Sequence, residues 1–277
     1  MSVKIVSDSS SDTLSIEGVD YTTVPLHIIV GEEDFVDDEN VNVLAMQAAI
    51  DKFGGPTSTS CPSPHDWIQA FGDADDVFCV TITSGLSGSC ASAETAKRMH
   101  ESDHPGRHVY IVDSLSTGPE LTLIIEKIRD LLLEGIPAAE VYEQVKEYQK
   151  RTHLLYALGS VSNLANNGRV NPLVAKGLGL LGIRIIGTAS EEGTLQILDK
   201  ARGDKKTVKT ILEHMIAMGY NGGKVSIAHN ANLDCAYGMA KAIQDAFGYT
   251  VTDVHQTRAL DSYYAEQNSI LVGFETE

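Results

Sequence analysis

Short runs rich in β-branched residues alternate with segments of helical period along the whole chain, and this alternation narrows the fold more than any other feature. Val3–Val6, Val24–Val30, Val77–Thr83 and Val109–Val112 read as strands. Between and after them, helical spacing is expected over Val41–Phe53, Ala91–Met99, Leu121–Leu133 and Ala138–Arg151; the first carries apolar residues at 41, 44, 45, 48 and 49. Near-continuous apolar strands separated by helices point to a parallel sheet covered on both faces. An N-terminal three-layer α/β/α domain over residues 1–155 is therefore expected.

The pattern then changes. Leu154–Leu158 could be a further strand, and Leu173–Ile186 is apolar but broken by glycines at 177, 179 and 182. Thr194–Asp199, Val225–His229, Thr250–His255 and Ile270–Phe274 look like strands, with helices over Lys205–Met218 and Asp234–Phe247. A smaller C-terminal α/β domain with a mixed sheet is expected over 156–277. The acidic stretch Glu32–Glu39 reads as a solvated loop.

Charge excludes some partners. The 277 residues carry 38 acidic against 21 basic side chains, a formal charge of −17. Such a surface repels phosphate backbones, which argues against nucleic acid. The four cysteines, 61, 79, 90 and 235, include no C-x-x-C pair, and scattered thiols fit a reducing compartment. Cys79 sits in an apolar run and is expected in the core. Val3–Val6 is too short for a signal-peptide core, and no apolar stretch approaches the ~20 residues that cross a bilayer. A cytoplasmic protein is expected.

In open parallel sheets, ligands bind beyond the carboxyl ends of the strands. Those ends are loaded with hydroxyls: Ser7–Asp12 after the first strand, Thr57–Pro64 before the third, Thr83–Ser89 after it, and Asp113–Gly118 after the fourth. Each such turn could simply cap the helix that follows. Four together also make an anion site from hydroxyls and free backbone N–H groups, with no fixed cation.

Other chemistries lack their signatures. Gly85-Leu86-Ser87-Gly88-Ser89 is one residue out of step with a G-x-S-x-G elbow, and none of the nine histidines is marked as a base by its context. His27 and His255 lie on expected strands, while His229 ends one. No Walker loop, dinucleotide glycine motif or H-E-x-x-H spacing is present.

VSDSSSD, TSTSCPSP at 57–64, TSGLSGSCASA at 83–93, VDSLSTG at 112–118 and NNGRV at 166–170 fall in the order found in DegV-family proteins. Arg202 with Lys205 and Lys206 resembles the family's R-x-x-K-K segment. The chain is thus similar to bacterial fatty-acid-binding proteins, the acyl-carrying subunits of fatty acid kinase. The resemblance implies a buried apolar tunnel between two α/β domains, holding one long-chain fatty acid such as palmitate. It places the carboxylate near Thr59 and Ser60 on one turn and Ser84, Gly85 and Ser87 on the other. Thr59 would donate its hydroxyl, with Ser87 or alternatively Ser84 contributing. Arg169 would face a kinase subunit or a phosphate.

Two departures stand out. Where the family has H-x-G-P-G, this chain has Tyr264-Ala265-Glu266-Gln267-Asn268, so Tyr264 is the candidate replacement for the histidine. The K-P-I segment is Arg184-Ile185-Ile186. The resemblance implies no turnover by this chain, no cofactor and no metal, and an ATP-binding kinase subunit as partner. The glycine-broken segment 173–186 is either packed on the second sheet or a lid that touches membrane transiently. Two other readings remain open: a hydrolase or phosphotransferase acting on a small anion through Ser84 or Ser87, and a lipid-sensing regulator.

Overall fold

The computed structural model describes residues 2–175 and 182–277. In chain order its elements are β1 Val3–Asp8, a 3-10 turn Ser9–Ser11, β2 Asp20–Val24, β3 His27–Val30, β4 Glu33–Val36, α1 Val43–Phe53, β5 Thr57–Ser60, α2 Pro64–Phe71, β6 Asp76–Thr81, α3 Ser89–Asp103, β7 His108–Asp113, α4 Pro119–Leu133 and α5 Ala138–Gln149. The second half adds β8 Thr152–Leu158, α6 Ser162–Asn166, α7 Pro172–Ala175, β9 Ile183–Ala189, β10 Leu195–Arg202, α8 Asp204–Ala217, β11 Val225–Asn230, α9 Leu233–Phe247, β12 Asp253–Gln256, α10 Ala259–Ala265 and β13 Ser269–Glu275.

The fold is α/β, as the alternation predicts. A four-stranded parallel sheet, ordered β2-β1-β6-β7, is covered on both faces. Trp67 and Phe71 of α2 and Ala93 and Ala96 of α3 pack against Val6, Val77 and Cys79 on one side. Leu121, Ile124 and Ile128 of α4, with Val141 and Val145 of α5, pack against Ile5, Phe78 and Val80 on the other. Every residue of β6 is buried, which is why its run reads as apolar without alternation.

A six-stranded sheet, β10-β9-β8-β13-β11-β12, is mixed: β11 and β12 run parallel, the rest antiparallel. One face carries α8 and α9, whose Ile211, Met215, Met239 and Ile243 meet Leu155, Ala157, Ile227 and Val272. The opposite face turns inward. Leu154, Tyr156 and Leu158 of β8 alternate with Leu155 and Ala157, so one strand serves two compartments. This strand spans the expected boundary at 155/156, and it pairs wholly within the second sheet.

The two sheets meet through α4. A side chain at Gly273 of β13 would have its Cβ 2.5 Å from the Pro119 carbonyl carbon, so glycine is what lets helix and strand approach.

Three expectations need correction. Val24–Val30 is not one strand: β2 ends at Val24 in the parallel sheet, and β3 begins at His27 in a separate antiparallel sheet, β4-β3-β5. Pro25 lacks the N–H that would continue the ladder, and the chain turns there. The acidic stretch 32–39 is not a solvated loop. It contains β4, and Asp37 is fully buried. Asp37 accepts the N–H groups of Ala259 (3.0 Å) and Leu260 (3.1 Å) and pairs with Arg258 at 3.4 Å. Partners some 220 residues away made this acid buriable, a pairing invisible to local reading. Finally, Thr57–Ser60 is the strand β5 rather than a turn.

The segment Leu173–Ile186, expected to pack on the second sheet or to act as a lid, lies partly outside the described residues, which omit 176–181. Among the described residues no helix is long and apolar enough to cross a membrane.

Candidate functional site

Two spaces deserve comparison. The larger, about 630 Å3, is an open groove between α1, α6 and α10, walled largely by polar groups such as Gln47, Asp51, Asn163, Arg184 and Glu266. The smaller, about 80 Å3, lies between the inward face of the six-stranded sheet and the hydroxyl-bearing turns. Its wall is aliphatic: Leu26, Ile82 and Leu86 on one side, Leu154, Leu158, Leu195 and Leu271 on the other, with Leu164, Leu260 and Ala265 between. Five polar side chains interrupt that wall, besides two tyrosines: Thr59, Ser87, Thr117, Arg169 and Asp261. An apolar cavity with a few converging polar groups is the pattern of a small-molecule site. The smaller space is therefore the candidate.

Its polar end is built from four elements. β5 alternates, so Thr57 and Thr59 face inward while Ser58 and Ser60 are exposed. The hydroxyls of Thr59 and Tyr264 lie 2.7 Å apart, those of Thr57 and Tyr263 also 2.7 Å apart, and α10 is thereby tied to β5. Arg169 follows α6; its Nε donates to the Leu86 carbonyl (3.3 Å) and its Nη1 to the Asn167 carbonyl (2.9 Å). Its guanidinium sits 5.5 Å over the Tyr264 ring, within cation–π range. Burial pushes the Tyr264 phenol above its usual range despite the Thr59 hydroxyl and the Arg169 charge, so it remains a neutral hydrogen donor. Ser87 lines the same cavity, and its Oγ accepts the Ser89 N–H at 3.2 Å.

The structure separates the expected site residues. Thr59, Ser87, Arg169 and Tyr264 share the cavity. Ser60 is exposed on the outer face of β5. Ser84 is exposed too, its backbone N–H donating to Asp113 Oδ1 at 3.1 Å. Gly85 supports the wall from outside: a Cβ there would lie 2.6 Å from the Glu192 carbonyl oxygen, in the tip joining β9 to β10. That tip is also held by Thr83 Oγ1, which donates to the Gly193 carbonyl at 2.9 Å.

The first hydroxyl-rich turn serves the scaffold. Ser9, Ser10 and Ser11 are fully buried. Asp8 accepts the hydroxyls of Ser10 (2.5 Å) and Ser89 (2.6 Å) and the N–H of Ile82 (2.9 Å), joining the ends of β1 and β6 to the start of α3. Burial raises the Asp8 pKa, and those donors pull it back. The histidines are spent elsewhere: His27 on Asp34, His255 on Asp253, and His229 accepting from Asn232. Among the described residues no group of three or more His, Cys, Asp or Glu is placed to hold a metal ion.

Two cavity residues were not singled out in the sequence. Thr117 lay within a hydroxyl-rich turn, so a signal existed. Asp261 carried none, because a lone acid in R-A-L-D-S reads as helix surface. It is 4 % exposed, and Thr117 Oγ1 donates to its Oδ1 at 2.9 Å. Burial raises its pKa to about 7; the Thr117 hydroxyl opposes the rise, and the charges of Asp37 and Asp8 add to it.

Fold and site together define an α/β protein that encloses a narrow aliphatic cavity, closed at one end by hydroxyls and an arginine. Residues 2–276 match the family model described as "Uncharacterised protein, DegV family". The chain belongs to the DegV family. A DegV domain-containing protein of Streptococcus pneumoniae is 38 % identical, with each chain covered completely. Among solved structures, a DegV family protein from Eubacterium eligens loaded with heptadecanoic acid superposes with a TM-score of 0.98 at 38 % identity, both chains fully covered. The Streptococcus pneumoniae fatty acid kinase B3 protein loaded with linoleic acid gives 0.97 at 38 % identity, again over both whole chains.

Proposed function

We propose that the protein is a fatty acid carrier: it binds one long-chain fatty acid in the cavity and presents the carboxylate to an ATP-dependent kinase subunit, without turnover of its own. The observation that carries this reading is the aliphatic cavity ending at Thr59, Ser87, Tyr264 and Arg169. The fatty acids bound by the two relatives of 38 % identity support it, and the kinase component named in the second supports the partner. In this reading the tunnel lies between an N-terminal domain of about residues 1–151 and a C-terminal domain that starts with β8 at Thr152, a few residues before the expected 155/156 boundary, in a cytoplasmic protein.

Affinity comes from the tail. A C16 acid has about 14 methylenes, each worth ~0.8 kcal/mol when buried, so the gross gain is on the order of 11 kcal/mol before ordering costs. At about 80 Å3 the space is narrow, so the guest must be slender and must shift the leucines that line it. Orientation comes from the head. Thr59, Tyr264 and Ser87 offer hydroxyl donors, and Arg169 beside Tyr264 supplies charge for the carboxylate or for an incoming phosphoryl group. Gly85 holds the strap from β9 to β10 over the turn, and Ser60 and Ser84 flank the head group from outside the cavity.

Delipidation of the purified protein, followed by mass spectrometry of the extract, should return long-chain fatty acids. The delipidated protein should then bind palmitate or oleate saturably. No extracted acid and no saturable binding would end the proposal. Capture of an ATP-binding kinase subunit in a pull-down would separate a carrier from a lipid-sensing regulator.

A further inference from the structure

Helix α10 lies in the chain between two strands of the six-stranded sheet, yet its start is held by the first half of the molecule. It has no side-chain cap of its own. The Arg258 N–H donates to Asp12 Oδ1 at 2.7 Å, and the Ala259 and Leu260 N–H groups donate to the Asp37 carboxylate at 3.0 and 3.1 Å. Carboxyls from the far end of the chain thus take up the orphan donors of this helix, where its dipole also favours negative charge. In the other direction, Thr117 Oγ1 donates to Asp261 Oδ1 at 2.9 Å. From this anchored start the helix carries Leu260, Tyr264 and Ala265 into the cavity wall.

The charges at the anchor do not balance. Arg258 pairs with Asp37 at 3.4 Å. Asp12 and Asp261 are left without a cation of their own, and Asp261 is the strongest of the charges acting on Asp12. The Oδ2 atoms of both are buried, and neither has a hydrogen-bond partner among the described residues. That of Asp261 is packed against Gly118, where a Cβ would lie 2.7 Å away. One proton held between the two carboxyls satisfies both oxygens at once and avoids two adjacent buried negative charges. The other charges acting on the pair are Asp37 and Asp8, which add to its negative field, and Arg258 and His255, which oppose it. His255 is engaged by Asp253 at 2.9 Å.

We infer that Asp12 and Asp261 share one proton and that this proton is a latch on α10: while it is held, the helix closes the acyl cavity, and when it is lost, the two carboxylates repel and the start of the helix lifts, opening the cavity for acyl exchange. The latch itself stands on the anchor; its role in exchange rests on the acyl-binding reading and adds regulation to it. Burial raises both carboxyls, that of Asp261 to about 7. The closed form therefore holds the proton more tightly than the open one, and opening becomes easier as pH rises from the ordinary carboxylate range through about 7.

The test follows the helix and the bound acid separately, on the full chain. In hydrogen exchange of the delipidated protein, read by mass spectrometry and corrected for the intrinsic effect of pH, protection of residues 258–263 should fall about tenfold from pH 6 to pH 8 and then level off. The rate at which loaded palmitate passes to excess albumin should rise about tenfold over the same range. In the double variant Asp12→Asn, Asp261→Asn, whose amides do not ionise, protection should become flat, and release should keep only the slope that the palmitate carboxyl itself gives. Asp261→Asn alone, whose amide donates to Asp12, should act in the same direction if the double variant does not fold. Glu120→Gln is the control. That acid is also buried and raised to about 7, but it sits on α4 and accepts from Thr152 at 2.8 Å, so both slopes should persist. Flat protection in the wild type, a protection slope that survives in the variants of the pair, or one that vanishes in Glu120→Gln would overturn the latch. Protection that falls while release stays constant would overturn its role in acyl exchange. Failure of palmitate to bind at all would count against the acyl reading alone, because exchange protection follows the latch without a ligand.

Discussion

The turn after β1 and the turn after β6 look alike as sequence, serine upon serine beside a glycine or an aspartate, yet they do different work. In the first, Asp8 and Ser9–Ser11 are fully buried and spend their polar groups on one another and on neighbouring strand ends. Ser9 Oγ even reaches across to accept the Leu26 N–H at 3.0 Å. In the second, Ser87 is half-buried on the cavity wall, across from Thr59 and Tyr264. The difference teaches that a hydroxyl is available to a ligand only where the scaffold has not already claimed it. Strand order does not decide this, since β1 and β6 are both interior strands of the parallel sheet; the buried Asp8 carboxyl does, by collecting the Ser10 and Ser89 hydroxyls and the Ile82 N–H around the first turn.

The sharpest attack on this contrast is Asp8→Ala. It strands two hydroxyls and two N–H groups in the interior, and should cost about 3 kcal/mol or more of stability in urea unfolding. Fatty acid affinity of the folded fraction should not change. Loss of affinity at full stability would show that the first turn is part of the site after all.

Next comes pH. The Asp261 carboxyl is raised from 3.8 unfolded to about 7 folded, so the folded state holds the proton more tightly. Its contribution to stability is complete below the unfolded pKa and is lost as pH rises through about 7. Asp12, buried beside it, is raised as well, so the proton belongs to the pair. Melting curves of the double variant Asp12→Asn, Asp261→Asn should therefore fall less steeply than wild type from mildly acid to neutral pH, by about 1–3 kcal/mol across the window. Parallel curves would refute the shift. Asp8, whose oxygens are satisfied by donors, provides the contrasting buried acid.

A smaller effect is expected at the cavity mouth. Thr59→Val keeps the volume and deletes the hydroxyl, and should weaken palmitate binding by about 1 kcal/mol, roughly fivefold, with a stability cost of similar size because the Tyr264 hydroxyl loses its partner. Unchanged affinity would place the head group elsewhere. Smallest of all, Ser60→Ala on the exposed face of β5 should leave both affinity and stability within about 0.5 kcal/mol of wild type. A clear loss there would mean that the alternation of β5 has been misread.

Much of this was legible before any coordinates. Elements with strong periodicity, such as β6, α4, α8 and α9, lie within a few residues of their expected positions, because burial on both faces of a strand or one stripe of a helix writes itself into local sequence. The hydroxyl-rich turns were legible in the residues themselves; Thr59, Ser87, Tyr264 and Arg169 were singled out within and beyond them through a resemblance. The three-stranded sheet was not, since β4 hides in an acidic run and β3 was fused to β2. Helix α10, only seven residues long, had no pattern to betray it.

By itself, then, the sequence determined the α/β class, the covered parallel sheet, the second mixed sheet and the hydroxyl-rich turns, all of which depend on neighbours within a few residues. Tertiary structure alone decided which hydroxyls face the cavity and which are consumed, why Asp37 can be buried, and that Asp261 stands in an aliphatic wall. Those outcomes depend on groups brought together from opposite ends of the chain, such as Thr59 with Tyr264 and Asp37 with Arg258. A polar side chain's role is set by what occupies the space around it, and that is a property of the fold rather than of the residues beside it in the chain.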